Sequence, residues 1–172
     1  SAESKKKLSL ELGGKNPNII FNDANLNRCL PSTVRSSFLN QGEICLCGSR
    51  IYVQSGIYDT FIEQFVKLVN EFGVGDPRDP NTKIGPLISQ EHREKVEGYI
   101  KIAVEDGGKV LCGGKRPNLG EKFANGYYLE PTVIVDVPHQ SRAQQEEIFG
   151  PVVTITRFDT DEEAVQFAND VK

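Results

Sequence analysis

A cysteine at position 45 lies just beyond a small polar turn that contains a glycine, and an apolar strand pattern follows it at 51–53. A thiol in such a place is exposed and has few competing hydrogen-bond partners, as a nucleophile requires. It also requires a neighbouring group that lowers its pKa or removes its proton. Most single cysteines in loops are inert, so Cys45 by itself is only a candidate nucleophile.

Two carboxylates elsewhere in the chain have surroundings that suit a reactive site. Glu11 precedes two glycines at 13 and 14, where backbone can approach another group closely, and a strand-like run follows. Glu147 stands two residues before Phe149, just ahead of another strand pattern. Taken alone, Glu147 and Phe149 are better explained as a surface acid and a core aromatic residue.

Three segments in this order resemble the catalytic domain of the NAD(P)-dependent aldehyde dehydrogenases. They are Glu-Leu-Gly-Gly-Lys at 11–15, Asn-Gln-Gly-Glu-Ile-Cys at 40–45 and Glu-Glu-Ile-Phe-Gly-Pro at 146–151, with weaker echoes at 85–88 and 126–132. The resemblance spans nearly the whole chain, and three ordered motifs are highly specific. The version of the second motif at 43–47 looks most like the branch that acts on 2-aminomuconic and 2-hydroxymuconic semialdehydes.

The resemblance implies a role for each matching residue. It makes Cys45 the nucleophile, which forms a thiohemiacetal and then a thioester with the aldehyde carbon, and Glu11 the base that activates the hydrolytic water. In the family the oxyanion is held by the N–H of the nucleophilic cysteine and by an asparagine that would lie before residue 1. The resemblance further assigns Glu147, Phe149 and Leu12 to the nicotinamide end of the cofactor, and Ile44 and Leu46 to the substrate pocket.

The same resemblance implies NAD or NADP as cofactor, bound mainly by another domain. The chain itself has no glycine-rich dinucleotide fingerprint, and the turn-rich segment 73–80 lacks the third glycine. We therefore expect residues 1–172 to be most of one catalytic domain of a longer enzyme, with the N-terminal NAD-binding domain and the C-terminal end absent. The expected partner is a small aldehyde, and the full-length enzyme is expected to be a homo-oligomer, either a dimer or a tetramer.

Composition indicates a soluble globular protein, with 38% hydrophobic and 26% charged residues. The net charge of −4 and the pI near 5.3 argue against nucleic acid or an anionic membrane as the main partner. No signal peptide or membrane-spanning apolar run is visible, and the four cysteines show no secreted pairing pattern, so a cytoplasmic location is expected. A C-x-C spacing with only two histidines is a poor zinc set, so no metal is expected.

Strand and helix patterns alternate, which predicts an α/β layered domain with a mainly parallel sheet flanked by helices. Function is expected in loops at strand ends, where Cys45 and Glu147 would lie. Pro31 is expected to break or restart the first helix near residue 30, and Glu43 and Glu146 to be solvated charges. Strands are predicted at 18–21, 51–54, 109–112, 132–135 and 152–158, and helices at 26–39, 57–72, 89–105 and from 161 onward.

Two other functions remain open. The first is an acylating aldehyde dehydrogenase that passes the acyl group to coenzyme A or phosphate. Glu11 argues against it, because those acceptors do not require a base that activates water. The second is a non-catalytic assembly or binding module that reuses the domain. The presence of Glu11, Cys45 and Glu147 together argues against that function, because a scaffold has no physical need for all three.

Overall fold

The computed structural model describes residues 5–171. A five-stranded sheet forms its centre, with the strand order β1-β2-β5-β4-β3. All neighbouring pairs are parallel except β3 and β4, which are antiparallel at one edge. The mainly parallel sheet is therefore as predicted. The strands are β1 Pro17–Ile20, β2 Arg50–Gln54, β3 Lys109–Cys112, β4 Thr132–Val135 and β5 Val152–Phe158.

In residues 5–171 five α-helices flank the sheet, and all except the short α4 lie close to the positions predicted above. They are α1 Leu26–Phe38, α2 Tyr58–Asn70, α3 Gln90–Glu105, α4 Arg142–Gln145 and α5 Asp161–Asn169, with short 3-10 turns at Leu39–Gly42 and Glu121–Phe123. Ser89 caps α3 and Thr160 caps α5, each accepting a hydrogen bond from a backbone N–H of the first turn. Within residues 5–171, no helix is both long enough and apolar enough to cross a membrane.

The expected break at Pro31 is wrong, because α1 continues through it as one helix. Proline has no N–H, so the carbonyl of Asn27 loses its partner in the helix. Both Pro31 and Asn27 are exposed, and water can therefore satisfy that carbonyl. The opposite face of α1 is buried through Leu30, Val34 and Phe38, which stabilises the helix despite the missing hydrogen bond.

Side chains alternate between the two faces of the sheet and build a three-layer domain. On β2, Ile51 and Val53 join the core beneath α1 and α2, whereas Tyr52 joins the cluster beneath α5. Phe61 and Phe65 of α2 stack at 5.3 Å between ring centroids and are fully buried in the first core. A separate core lies beneath α3, where the inward side chains of the helix meet the other face of the sheet.

Candidate active site

The three motif segments lie at the amino ends of three adjacent strands. Residues 11–16 lead into β1, residues 39–49 lead into β2, and residues 146–151 lead into β5. Because these strands are parallel neighbours, their amino ends share one edge of the sheet. The sequence predicts functional residues in loops at strand ends. In open α/β sheets, ligands most often bind at the carboxyl ends of the strands. Here the amino ends bring the motifs together.

A narrow crevice at this edge is lined by residues of all three segments. Gly14 comes from the first, Ile44 and Cys47 from the second, and Glu147 and Phe149 from the third. Its volume is about 20 Å³, which is room for about one water molecule. The segments are therefore in close contact, although they are far apart in the sequence.

The loop that carries Cys45 begins with three consecutive residues in left-handed backbone conformation. The φ angles are 52° at Asn40, 60° at Gln41 and 70° at Gly42. A Cβ atom on Gly42 would lie 2.3 Å from the carbonyl oxygen of Gly150, so only glycine fits there without a shift. The second motif therefore packs backbone to backbone against the third.

The turn that contains Cys45 is fixed by an asparagine of the first motif segment. The Asn16 side chain donates hydrogen bonds to the carbonyls of Cys45 at 2.7 Å and of Cys47 at 3.1 Å. The N–H of Cys47 also donates to the carbonyl of Ile44 at 3.0 Å. These bonds leave Cys45 half-buried and Leu46 84% exposed. The sequence did not single out Asn16, since its partners lie about 30 positions away.

The four cysteines differ in their capacity to act as nucleophiles. Burial raises the pKa of the Cys47 thiol, and it raises the pKa of Cys112 to about 11. Both thiols are therefore almost fully protonated at neutral pH and are poor nucleophiles. Cys29 lies on α1, with its sulfur 3.7 Å from the hydroxyl oxygen of Thr33. The structure thus favours Cys45 as the reactive thiol over Cys47 and Cys112.

The Glu147 carboxylate lies directly against the two glycines of the first motif. The N–H of Gly14 donates to Glu147 Oε1 at 3.2 Å, and a Cβ on Gly13 would lie 2.2 Å from Glu147 Oε2. Because residues 13 and 14 have no side chains, the Glu147 carboxylate can lie directly against their backbone. Phe149 follows in a left-handed conformation, with φ at 60°.

Glu11 and Leu12 precede these glycines, and both are exposed. Leu12 is 71% exposed, and within residues 5–171 the Glu11 carboxylate makes no hydrogen bond or ion pair. The structure therefore brings Glu147 and Phe149 to the Cys45 loop, but it records no contact between Glu11 and Cys45.

The expectation that Glu43 is a solvated charge is wrong. Its side chain is only 12% exposed, and its Oε1 atom lies 3.2 Å from Nε2 of His92 on α3. That nitrogen lies even closer to the carbonyl oxygen of Phe149, at 2.6 Å. Burial raises the pKa of the Glu43 carboxyl, while the nearby His92 opposes the shift. No local sequence pattern indicates His92, because it is brought here by the packing of α3.

Glu146 is also more than a solvated charge, although its side chain is 41% exposed. Arg142 donates to both carboxylate oxygens at 2.8 Å, and the Tyr99 hydroxyl donates to one of them at 2.7 Å. These bonds join α4 to α3 just ahead of Glu147. The residue therefore contributes to the position of the third motif.

Two buried cations lie behind the first motif. Arg50 is fully buried and donates to the carbonyl of Lys15 at 2.8 Å, and to the carbonyls of Phe167 and Ala168 at the end of α5. The Lys15 amine is buried without a hydrogen-bond partner in the described chain. Burial, assisted by the charge of Arg50, lowers the pKa of Lys15 to about 7.

An open, mostly apolar groove runs along the other side of the Cys45 loop. Its volume is about 330 Å³, and Ile44 and Leu46, the predicted substrate-pocket residues, form part of its wall. Arg35 on the last turn of α1 also lines the groove and makes no side-chain ion pair or hydrogen bond within residues 5–171.

The described residues 5–171 contain no cluster of three or more acidic, histidine or cysteine side chains that could bind a metal ion.

The chain belongs to the aldehyde dehydrogenase family, whose model matches residues 1–172. Within that family, it is 54% identical to the 2-aminomuconic semialdehyde dehydrogenase of Bos taurus, over all of this chain and 36% of that protein. It is 47% identical to the 5-carboxymethyl-2-hydroxymuconate semialdehyde dehydrogenase of Escherichia coli, over 97% of this chain and 36% of that protein. The expected resemblance to muconic semialdehyde dehydrogenases is thereby confirmed.

A solved structure of betaine aldehyde dehydrogenase from Staphylococcus aureus in complex with NAD+ has the same fold. Its TM-score is 0.91 at 42% sequence identity, over 99% of this chain and 34% of that protein. The α/β fold predicted from the sequence is confirmed. The chain spans about a third of the length of the relatives that it matches.

Proposed function

We propose that this chain supplies the nucleophile, the general base and the nicotinamide-side contacts of an NAD-dependent enzyme that oxidises an aldehyde to a carboxylic acid. The observation that carries the proposal is the crevice in which Gly14, Ile44, Glu147 and Phe149 meet beside the Cys45 turn. Three family motifs that are distant in sequence converge there. An assembly module would not require that convergence.

Cys45 begins the proposed reaction by attacking the aldehyde carbon as a thiolate. A carbon–sulfur bond forms, and the carbonyl π electrons move to oxygen. The N–H of Cys45 makes no hydrogen bond within residues 5–171, so it is available to stabilise that oxyanion. A donor of this kind contributes about 3–4 kcal/mol of transition-state stabilisation. Collapse of the tetrahedral thiohemiacetal expels a hydride from carbon and leaves a thioester on Cys45.

Glu11 completes the cycle as the base for hydrolysis. It accepts a proton from a water molecule, whose oxygen attacks the thioester carbon. The carbon–sulfur bond then breaks, the carboxylic acid leaves, the Cys45 thiolate is restored, and Glu11 releases the proton to solvent water. The exposed position of Glu11 and its lack of an ion pair within the described chain suit a base that acts through water.

We assign the nicotinamide end of NAD to the rim of the crevice, where Glu147 and Phe149 are partly exposed, because the crevice itself holds only about one water molecule. The Glu147 carboxylate receives one N–H bond from Gly14 and keeps acceptor positions for ribose hydroxyls. Phe149 lies beside it in the crevice wall, where its ring can limit the positions of a nicotinamide, and we assign the backbone of Leu12 to the nicotinamide amide. NAD, when bound, accepts the hydride. The complex of the Staphylococcus aureus relative with NAD+ supports NAD as the cofactor.

Replacement of the base tests the proposed mechanism. In a full-length aldehyde dehydrogenase that contains this chain, Glu11→Gln is expected to slow thioester hydrolysis by about 10²–10⁴-fold and to affect hydride transfer far less. Rapid-mixing measurement of reduced cofactor should then show a fast burst followed by slow turnover. Equal slowing of the burst and of turnover would contradict the role of Glu11 and place it in the attack step.

The groove beside Cys45 supports a semialdehyde as the substrate, that is, an aldehyde that also carries a carboxylate. The names of the muconic semialdehyde dehydrogenases among the relatives agree with this substrate class. Its walls include Leu39, Ile44 and Leu46, which suit a short carbon chain, and Arg35 is a cation without a recorded partner in the described chain. A guanidinium binds a carboxylate with two parallel hydrogen bonds and repels a quaternary ammonium group. Arg35 therefore favours a semialdehyde over a betaine aldehyde.

Aldehydes of matched length separate these two substrate classes. We expect the full-length enzyme to have a higher kcat/KM for an aldehyde ending in a carboxylate than for its methyl ester, and the lowest value for a trimethylammonium analogue. Arg35→Gln should lower kcat/KM for the carboxylate about 10-fold and leave the ester nearly unchanged. Arg28→Gln, an exposed arginine of the same helix outside the groove, is the control. Preference for the trimethylammonium analogue would contradict the carboxylate assignment.

A further inference from the structure

His92 lies between the nucleophile loop and the segment that we assign to the nicotinamide. It occupies the first turn of α3, where its backbone N–H is bonded to the side chain of the capping residue Ser89 at 3.1 Å. Its ring nitrogen Nε2 lies 2.6 Å from the carbonyl oxygen of Phe149 and 3.2 Å from Glu43 Oε1. One imidazole therefore contacts both motifs, and it does so from a rigid helix.

The direction of the hydrogen bond follows from the chemistry of the partners. A carbonyl oxygen can only accept, so Nε2 must carry a proton and donate to Phe149. The neighbouring Glu43 carboxylate favours the proton on that same nitrogen. The side chains of His92 and Glu43 are only 14% and 12% exposed, so water competes little for these contacts.

Phe149 needs such a contact because its backbone is strained. Its φ angle of 60° is left-handed, a conformation that is sterically unfavourable for a residue with a Cβ atom. Strained residues of this kind persist where surrounding contacts hold them. The His92 bond holds the carbonyl of Phe149, and the next carbonyl, of Gly150, packs against Gly42.

We infer that His92 is a positioning residue. It fixes the position of Phe149 and Glu147, on the nicotinamide side, relative to the Cys45 loop. It touches neither substrate nor reacting atoms, and it acts through the Phe149 carbonyl. This inference rests on the proposed function, because the position of Phe149 matters only if a nicotinamide binds there. Without the bond, the Phe149 segment is expected to relax while the Cys45 turn, held by Asn16, keeps its place.

The test uses a full-length aldehyde dehydrogenase that contains this chain and compares His92→Phe with His92→Gln. Phenylalanine keeps the ring volume and loses the donor, whereas glutamine keeps an N–H donor. Lys101→Gln, an exposed substitution on the same helix, is the control. Three readouts are needed: the Kd of NAD by direct titration, the rate of the pre-steady-state burst, and hydrolysis of p-nitrophenyl acetate without NAD.

For His92→Phe we expect the Kd of NAD to rise about 5–10-fold and the burst to slow by a similar factor. Ester hydrolysis, which uses Cys45 without NAD, should stay within about twofold, and His92→Gln should recover most of the NAD affinity. Equal losses in ester hydrolysis and NAD affinity would overturn the inference, because they would indicate general damage. Unchanged NAD affinity would overturn it as well. An unmutated enzyme that binds NAD but oxidises no aldehyde would instead refute the proposed function.

Discussion

The proposed role of Cys45 as the nucleophile is supported by a comparison of its surroundings with those of the other thiols. Burial raises the pKa of Cys47 and Cys112, while Cys45 lies half-buried on a turn. We therefore expect brief iodoacetamide treatment at neutral pH to label Cys45 first, at least about 10-fold faster than Cys47 or Cys112. Peptide mapping by mass spectrometry measures the order, with Cys45→Ser as control. Faster labelling of Cys47 or Cys112 would show that the nucleophile is misassigned.

Lys15 gives a prediction for the pH dependence of stability. Its pKa is about 7 in the folded chain, mainly through burial, against about 10.5 when unfolded. Between these values the unfolded chain binds more protons, so Lys15 destabilises the fold most at and below pH 7 and less as the pH rises. Lys15→Met, which keeps the apolar stem, should therefore raise the free energy of unfolding by up to about 5 kcal/mol near pH 7.

The same comparison at higher pH is the control for Lys15. Urea unfolding at pH 6.5 and at pH 9.5 should show a clearly smaller gain from Lys15→Met at the higher pH. If Lys15→Met raised the free energy of unfolding equally at pH 6.5 and pH 9.5, the Lys15 amine would be paired and charged in the folded chain. A loss of stability at pH 6.5 would lead to the same conclusion.

At the scale of elements, Gly42 joins the nucleophile loop to the segment before β5. Its φ of 70° and the 2.3 Å approach of its Cβ position to the Gly150 carbonyl leave no room for a side chain. Gly42→Ala should therefore lower the free energy of unfolding by more than about 2 kcal/mol, or displace the loop and slow the alkylation of Cys45. Denaturant unfolding and alkylation rates measure the two outcomes.

Gly98 on α3 is the matched control for this substitution. A Cβ there meets nothing within 4 Å, and alanine favours a helix over glycine. Gly98→Ala should stabilise the chain by about 0.5–1 kcal/mol and leave Cys45 alkylation unchanged. If Gly42→Ala behaved like Gly98→Ala, the close packing of the two motifs would be disproved.

The strands and helices could be predicted from the sequence because their patterns are local. The Leu30, Val34 and Phe38 stripe of α1 lies within one helix, and the alternation on β2 lies within one strand. The contacts that shape the site are not local. Asn16 reaches Cys45 over 29 positions, and His92 reaches Phe149 over 57. Only the resemblance to a family, and not periodicity, could indicate that the three motif segments meet.

The burial of two charged residues could not be predicted from the sequence. Glu43 and Lys15 occur in polar stretches that are typical of exposed loops, yet both side chains lie inside the domain. Glu43 lies against His92 of α3, and Lys15 lies beside Arg50 of β2. Their burial therefore results from the packing of elements that are distant in the sequence. Composition gives no sign of this, because it depends on the strand order β1-β2-β5.

For the molecule as a whole, the proposed function assigns the described residues contacts with the nicotinamide end of a dinucleotide. Gly14, Glu147 and Phe149 lie together in the crevice, whereas the sequence contains no glycine-rich strand–turn–helix fingerprint for a pyrophosphate. A small contact at the nicotinamide end must offset the whole ordering cost of binding, so NAD affinity should be weak. This limits what residues 1–172 can do as an isolated protein.

We therefore expect the purified 172-residue chain to show no measurable NAD reduction when it is mixed with aldehyde and followed by absorbance. Hydrolysis of p-nitrophenyl acetate uses Cys45, Glu11 and a water but no hydride acceptor, so slow hydrolysis that is lost in Cys45→Ser should remain. The ester assay also serves as the folding control, because the Cys45 turn depends on Asn16, 29 positions away in the sequence. Cofactor reduction at a rate near that of a full-length enzyme would show that these residues bind the dinucleotide by another route. The assignment of the crevice to the nicotinamide end alone would then be wrong.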